Sequence, residues 1–183
     1  PYDPNIGIQL YGFAIKVAAL QNHKAKLWIE GRKDTFEYLE QKLSKSDELI
    51  WIHAPSLGEF EQARPLIEVL KRDYSNYKIL VSFYSPSGFN NYQADKHVSK
   101  VVYLPLDTKS NAKYWVQTVS PELSIFVKYD FWFRIITEVQ KQQLKLYLIN
   151  GLFRTDQVYF KPYGDWFLRK ISGFTHLFLI NES

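Results

Sequence analysis

Over residues 5–21 the apolar positions Ile6, Leu10, Phe13, Ala14, Val17 and Leu20 recur at helical spacing, while Gln9, Gly12 and Lys16 share the opposite stripe. Side chains three and four apart lie on one face of a helix, so an amphipathic helix is expected here. A short helix near 34–43 follows. Beyond it, short apolar runs at 49–53, 78–83, 100–104, 123–127, 145–149 and 176–180 alternate with helical stretches at 58–72, 87–95, 108–118, 131–142 and 162–171. Runs such as Ile79-Leu80-Val81 and Ser124-Ile125-Phe126-Val127 are nearly continuous, which suits strands covered on both faces. The βα repeats therefore predict an α/β domain, a Rossmann-like parallel sheet flanked by helices and wound through right-handed crossovers. Pro65 falls inside one expected helix, where its missing N–H predicts a kink or a restart. No repeat or low-complexity linker interrupts the pattern, and the last run leads into Asn181-Glu182-Ser183 with no closing element.

Composition narrows function more than fold. With 46% hydrophobic and 17% aromatic residues in 183 positions, the chain has the makings of one folded α/β domain. The 23 basic against 19 acidic residues leave +4, a mild excess that suits anionic surfaces such as phosphorylated lipids and falls far short of a nucleic-acid-binding tail. Without cysteine there are no disulfides, thiolate nucleophiles or Cys-based zinc sites. His23, His53, His97 and His176 lack metal-ligand spacing, so neither metal nor cofactor is expected. No G-x-G-x-x-G or Walker loop is present, which counts against dinucleotide and P-loop chemistry. The first helix is too polar and too short to span a bilayer alone, a task that takes about 20 apolar residues. Its basic flank, Lys16, Lys24, Lys26, Arg32 and Lys33, with Trp28 nearby, fits a helix lying among lipid headgroups; packing on an ordinary core is the plainer alternative.

In an open parallel sheet all strand carboxyl ends share one edge, so the loops after the strands are where chemistry is expected. Two carboxylates, Glu59 and Asp130, reach that edge from distant segments. Ser56 and Glu59 form S-x-x-E ahead of an apolar helix, a capping box in its plainest reading, with Ser56 on the N–H of 59 and Glu59 reaching back. In the functional reading Glu59 is a general base that takes a proton from a sugar hydroxyl. The helix end would lower its pKa and burial would raise it. Asp130 carries the same ambiguity, as a helix N-cap or a functional acid. The turn Ser85-Pro86-Ser87-Gly88 offers hydroxyls and N–H groups to a phosphate or carboxylate, although such turns are common for conformational reasons alone.

At these loops the chain resembles the N-terminal domain of the 3-deoxy-D-manno-octulosonic acid (Kdo) transferases of lipopolysaccharide synthesis, and the resemblance runs from Ile6 to Ser183. Its most specific piece is Ile52-His53-Ala54-Pro55-Ser56-Leu57-Gly58-Glu59, followed by Ala63, Pro65, Leu66 and Ile67. The family has a matching HAxSxGE segment whose Glu, here Glu59, is the proposed base. Supporting pieces are Lys26 through Gly31-Arg32, the turn at 85–88, Tyr103-Leu104-Pro105-Leu106-Asp107 and Pro121-Glu122-Leu123. An ETELWPN-like segment aligns with Lys128-Tyr129-Asp130-Phe131-Trp132-Phe133-Arg134, keeping only the second acid, as Asp130, and the Trp. A NARLS-like segment becomes Asn150-Gly151-Leu152-Phe153-Arg154, so its basic contact moves to Arg154 or is lost.

The resemblance implies the N-terminal half of a B-type two-domain glycosyltransferase that moves Kdo from CMP-Kdo to a glucosamine hydroxyl of a lipid A precursor, inverting and metal-free. It implies catalytic roles for Glu59 and Asp130, and substrate contacts from Ser56, Gly58, Ser85, Ser87, Gly88, Lys128 and Arg154. Residues 1–33 are expected to be a membrane-contacting helix with a basic linker and 34–183 the acceptor-side domain. The donor site would belong to a C-terminal domain absent from this sequence, leaving the fragment inactive alone. Membership also implies the cytoplasmic face of the bacterial inner membrane, peripheral or N-terminally anchored. The alternatives are a glycosyltransferase using another nucleotide sugar and a non-catalytic membrane-associated binding module.

Overall fold

Six apolar runs become six strands of one sheet. A computed structural model describes residues 4–128, 130–154, 157, 160–162 and 164–180. Tyr129, the terminal segment 181–183 and the side chain of Ile6, all cited above, lie outside the described residues. In chain order the elements are α1 (Pro4–Ala18), α2 (His23–Lys33), α3 (Thr35–Lys42), β1 (Leu49–Ala54), α4 (Leu57–Asp73), β2 (Lys78–Phe83) and α5 (Pro86–Asn91). There follow β3 (Lys100–Tyr103), α6 (Lys109–Val119), β4 (Leu123–Val127), α7 (Phe133–Lys141), β5 (Lys145–Gly151), α8 (Asp165–Ile171) and β6 (His176–Leu179). All pairings are parallel and the order is β3-β2-β1-β4-β5-β6, so the Rossmann-like α/β class is borne out.

The two-residue period of a strand divides its apolar side chains between two cores. On β1, Leu49 and Trp51 join Leu80, Phe126 and Leu148 beneath Leu39 of α3, Trp115 of α6 and Ile135 of α7. Ile50, Ile52 and Ala54 point the other way, with Val81 and Ile125, under Phe60, Ala63 and Ile67 of α4. Every residue of β1 is buried. Fully burying a side chain such as Phe60 or Ile52 contributes about 1.5–3 kcal/mol, so the middle of the sheet supplies much of the domain's stability.

Two local expectations change. Within residues 1–33, expected as one amphipathic helix with a basic linker, the stretch 23–33 forms a second helix, α2, because the Asn22 side chain accepts from Ala25 N–H at 3.2 Å and starts a helix there. Helix α4 runs from Leu57 to Asp73 through Pro65 without restarting. Buried Ala63 and Ile67 anchor the turns on either side, and the proline itself lies on the exposed face. Helix α1 lies against the carboxyl edge of the sheet. The Tyr11 and Tyr84 hydroxyls share a 2.8 Å hydrogen bond, and an added Cβ at Gly12 would come within 2.8 Å of Leu106. Its apolar stripe faces outward, with Leu10 62%, Phe13 65% and Val17 51% exposed. Among the described residues no helix is long and apolar enough to cross a membrane.

Candidate active site at the carboxyl edge of the sheet

After β1 the chain turns back into α4 and β2, while β4 lies on the other side of β1, so the sheet reverses direction between β1 and β4. Loops leaving such a pair of strands diverge and open a crevice between them. The β1 loop ends at Ser56 and runs straight into the first turn of α4, which carries Gly58 and Glu59, and the β4 loop carries Lys128 and Asp130.

Lys128 adopts φ 63°, a left-handed conformation uncommon for a residue with a side chain. Its N–H still bonds Ile149 O at 2.8 Å, so the ladder to β5 holds while the side chain turns toward β1. There Nζ donates to Glu59 Oε1 at 2.8 Å. The other Glu59 oxygen, Oε2, accepts from the Ser56 hydroxyl. The capping box is thus not formed. Ser56 occupies the N-cap position of α4 but makes no side-chain cap bond, because its hydroxyl is drawn to the Glu59 carboxylate held over the crevice by Lys128. Burial pushes the Glu59 carboxyl up, and the Lys128 ammonium with the Ser56 hydroxyl outweighs it, so the group ends below the ordinary glutamate value.

Nor is Asp130 a helix cap. Trp132 holds the N-cap position of α7, and the helix N–H groups of Arg134 and Ile135 are taken by Asp107, at 3.0 Å each. Asp130 Oδ2 instead lies 3.1 Å from His53 Nε2 and 2.9 Å from Trp132 Nε1. His53, fully buried at the end of β1, has Nδ1 at 2.9 Å from Ser82 Oγ and 3.1 Å from Ser82 O, and Ser82 Oγ also accepts from Trp51 Nε1 at 2.8 Å. Two proton arrangements satisfy this network. With Ser82 donating to Nδ1, Nε2–H donates to Asp130; with Nδ1–H donating to Ser82 O, Nε2 accepts from Trp132, 2.9 Å away. In the first, a buried polar chain from β2 through β1 fixes the acid at the crevice; in the second, the Trp132 N–H, shared between His53 Nε2 and Asp130 Oδ2, is what holds it.

The remaining expected site residues divide. Gly88 abuts the β1 loop, where an added Cβ would meet Leu57 N at 3.1 Å and Ser56 Cα at 3.2 Å, so it packs closely under the Ser56–Glu59 segment. Ser85 Oγ caps α5 by accepting from Gly88 N–H at 3.3 Å and pairs with Ser87 Oγ at 2.5 Å, which leaves less of this turn for an anion than the sequence suggests. Gly58 is exposed, with only Ser56 Oγ, at 3.8 Å, near an added Cβ. Arg154 is exposed on the loop after β5, one strand outward from Lys128, its N–H bonded to Gln157.

Sequence reasoning gave no role to Asp107 or His53, and it placed Arg32 and Trp28 on a lipid-facing basic flank, whereas they pack into the wall beside the site. The Trp132 and Tyr84 rings lie 4.6 Å apart, tilted at 43°, and Arg32 lies 3.8 Å over Trp28 and 4.9 Å over Tyr84. Arg32 donates to the carbonyls of Leu104, Trp28 and Tyr84, tying α2 to the loops after β2 and β3, and burial pulls its pKa down to about 10. The usable signal was polarity in the wrong place: a His closing an apolar strand and an Asp closing Leu104-Pro105-Leu106. Among the described residues no cluster of three or more His, Asp or Glu is arranged to hold a metal.

The family model described as 3-deoxy-D-manno-octulosonic-acid transferase (kdotransferase) matches residues 30–183. A 3-deoxy-D-manno-octulosonic acid transferase of Rickettsia conorii is 30% identical over 155 residues, 84% of this chain and 32% of the relative. One of Chlamydia trachomatis is 29% identical over 105 residues, 56% of this chain and 24% of the relative. A bifunctional glycosyltransferase/methyltransferase of Fusobacterium nucleatum is 30% identical over 112 residues, 58% of this chain and 17% of that protein. The chain thus spans a third or less of the length of these relatives, and it belongs to the Kdo transferase family.

Proposed function

We propose, from membership of that family, that this chain is the acceptor-side half of a B-type glycosyltransferase that moves Kdo from CMP-Kdo to a glucosamine hydroxyl of a lipid A precursor. The observation that carries the reading is Glu59 facing Lys128 across the β1/β4 crevice instead of capping α4. On this reading the Glu59 carboxylate takes the hydroxyl proton as that oxygen attacks the anomeric carbon. The bond from that carbon to the CMP phosphate breaks, CMP leaves with the electron pair, and the centre inverts. A carboxylate paired with an ammonium is a weak base. An acceptor phosphate or hydroxyl that draws Lys128 away raises the proton affinity of Glu59 when the base is needed. Asp130, oriented by His53 and Trp132, is the second functional acid and accepts from a sugar hydroxyl.

No bound metal is required by this mechanism, and the donor nucleotide belongs to a further domain. The outward stripe of Leu10, Phe13 and Val17 beside Lys16 supports contact with the cytoplasmic face of the bacterial inner membrane, where an acylated acceptor lies. The Fusobacterium relative, whose name does not specify Kdo, favours a second reading, a B-type enzyme using another nucleotide sugar.

The test uses full-length protein with an acylated acceptor and either CMP-Kdo or UDP-sugars. Turnover of CMP-Kdo is expected, abolished in Glu59→Gln at an unchanged thermal midpoint. Turnover with a UDP-sugar and none with CMP-Kdo sinks the Kdo assignment. Full activity in Glu59→Gln removes the base.

A further inference from the structure

On the far side of Trp132 from the Asp130 carboxylate lies apolar space. A cavity of about 340 Å3 bordered by Trp132, the residue that holds Asp130, is also lined by Ile8, Asp107 and Phe133. The same three residues line a second cavity, of about 600 Å3, which runs between α7 and α8 to Trp166 and Phe167. Both volumes fall in the range of small-molecule sites. The two form one groove leading away from the acid.

The walls are aromatic. Phe133 meets Trp166 and Phe167 at ring distances of 5.3 and 5.1 Å. The lining is cationic where it is charged. Its two carboxylates are already engaged, Glu138 by Lys141 at 2.6 Å and Asp107 by the backbone of α7, whereas Lys109 and Lys170 have no carboxylate partner among the described residues. Lys170 lies 5.7 Å over the Trp166 ring, so its charge sits on the edge of the apolar wall. An apolar trough with unneutralised ammonium groups complements a hydrocarbon chain attached to an anionic group, and neither a free sugar nor an inorganic anion uses both parts.

We infer that the groove between α1, α7 and α8 binds an acyl chain of a phosphorylated amphiphile, with Lys109 and Lys170 on its phosphate. This rests on the proposed function in that such an amphiphile, seated here, brings its sugar end toward Asp130 and Glu59. It adds a binding site distinct from the crevice carboxylates and from the outward stripe of α1.

The test uses full-length protein and decyl phosphate below its micelle concentration, followed by isothermal titration calorimetry. Decyl phosphate is expected to bind, and Lys109→Glu with Lys170→Glu to weaken it at least tenfold. These are surface changes, with the thermal midpoint as the check on folding. Phe167→Asp is expected to weaken both decyl phosphate and neutral decyl glucoside. Glu59→Gln, outside the groove, is expected to bind as the parent does. Equal binding by parent and lysine variants overturns the assignment, and so does inorganic phosphate binding as tightly as decyl phosphate. Kdo transfer is assayed separately. Normal transfer with no decyl phosphate binding removes the groove and keeps the function; binding with no Kdo transfer does the reverse.

Discussion

Lys128 sets the chemistry of Glu59 at a backbone conformation that costs about 1 kcal/mol or more for a residue other than glycine. Removing the ammonium in Lys128→Met leaves burial as the largest influence on Glu59, so the carboxyl pKa rises. Because the base works deprotonated, the acid limb of kcat/KM in the full-length enzyme is expected to move to higher pH. A limb that stays in place separates Lys128 from the base. Stability is expected to change by at most about 1 kcal/mol, since the pair is partly open to solvent. Two glycines of the site behave oppositely. Gly88→Ala drives a Cβ to 2.8 Å from Phe83 and onto the backbone below Ser56, and is expected to cost about 1–3 kcal/mol. Gly58→Ala meets open space, so the thermal midpoint is expected to hold or rise while the KM for acceptor rises. A lowered midpoint in Gly58→Ala argues that its role is structural. The types of residue in the crevice were legible in His53-Ala54-Pro55-Ser56-Leu57-Gly58-Glu59, but their pairing was not. Glu59 and Ser56 satisfy a local capping rule, and the partner that breaks it, Lys128, is 69 positions away.

At the scale of elements, periodicity located every strand and most helices because parallel strands are apolar on both faces and helices on one. It missed α2, whose buried contacts are few, and it offered Asp130 but not Asp107 as a cap for α7, because a cap supplied from a neighbouring loop leaves no local spacing. Asp107 is that cap. Asp107→Ala leaves two helix N–H groups without an acceptor and is expected to cost about 1–2 kcal/mol. Burial pushes the Asp107 carboxyl up to about 6, and the two N–H donors only partly oppose this. The folded state therefore holds this proton to higher pH than the unfolded chain does. The associated stability is fully present below the unfolded value, near 4, and is lost as pH rises through about 6. About two pKa units correspond to roughly 3 kcal/mol. In denaturant titrations at pH 4.5 and pH 7, the parent is expected to lose stability relative to Asp107→Asn as pH rises. Parallel profiles show that the carboxyl titrates alike in both states.

For the whole molecule the deciding feature is the order β3-β2-β1-β4-β5-β6, which makes the loops after β1 and β4 neighbours. Strand count and direction could be inferred from the sequence, but lateral order depends on which faces the helices cover. The loops were therefore legible as candidates and not as a constellation. The same edge carries α1, tied down by Tyr11 on Tyr84 and by Gly12 against Leu106, with Leu10, Phe13 and Val17 turned away from the protein. Apolar side chains that contribute nothing to the core can be replaced with little loss of stability, whereas side chains that enter a lipid surface cannot be replaced without loss of binding. The triple variant Leu10→Ser, Phe13→Ser, Val17→Ser is therefore expected to keep the thermal midpoint and lose at least tenfold in affinity for vesicles containing anionic lipid, measured by co-sedimentation. Each substitution removes a hydrocarbon group from the interface while leaving Lys16 and the exposed lysines of α2, Lys24, Lys26 and Lys33, in place, so any residual binding is expected to disappear as salt is raised. Unchanged sedimentation with a lowered midpoint would make the stripe a structural one, and α1 a helix held for the sheet alone.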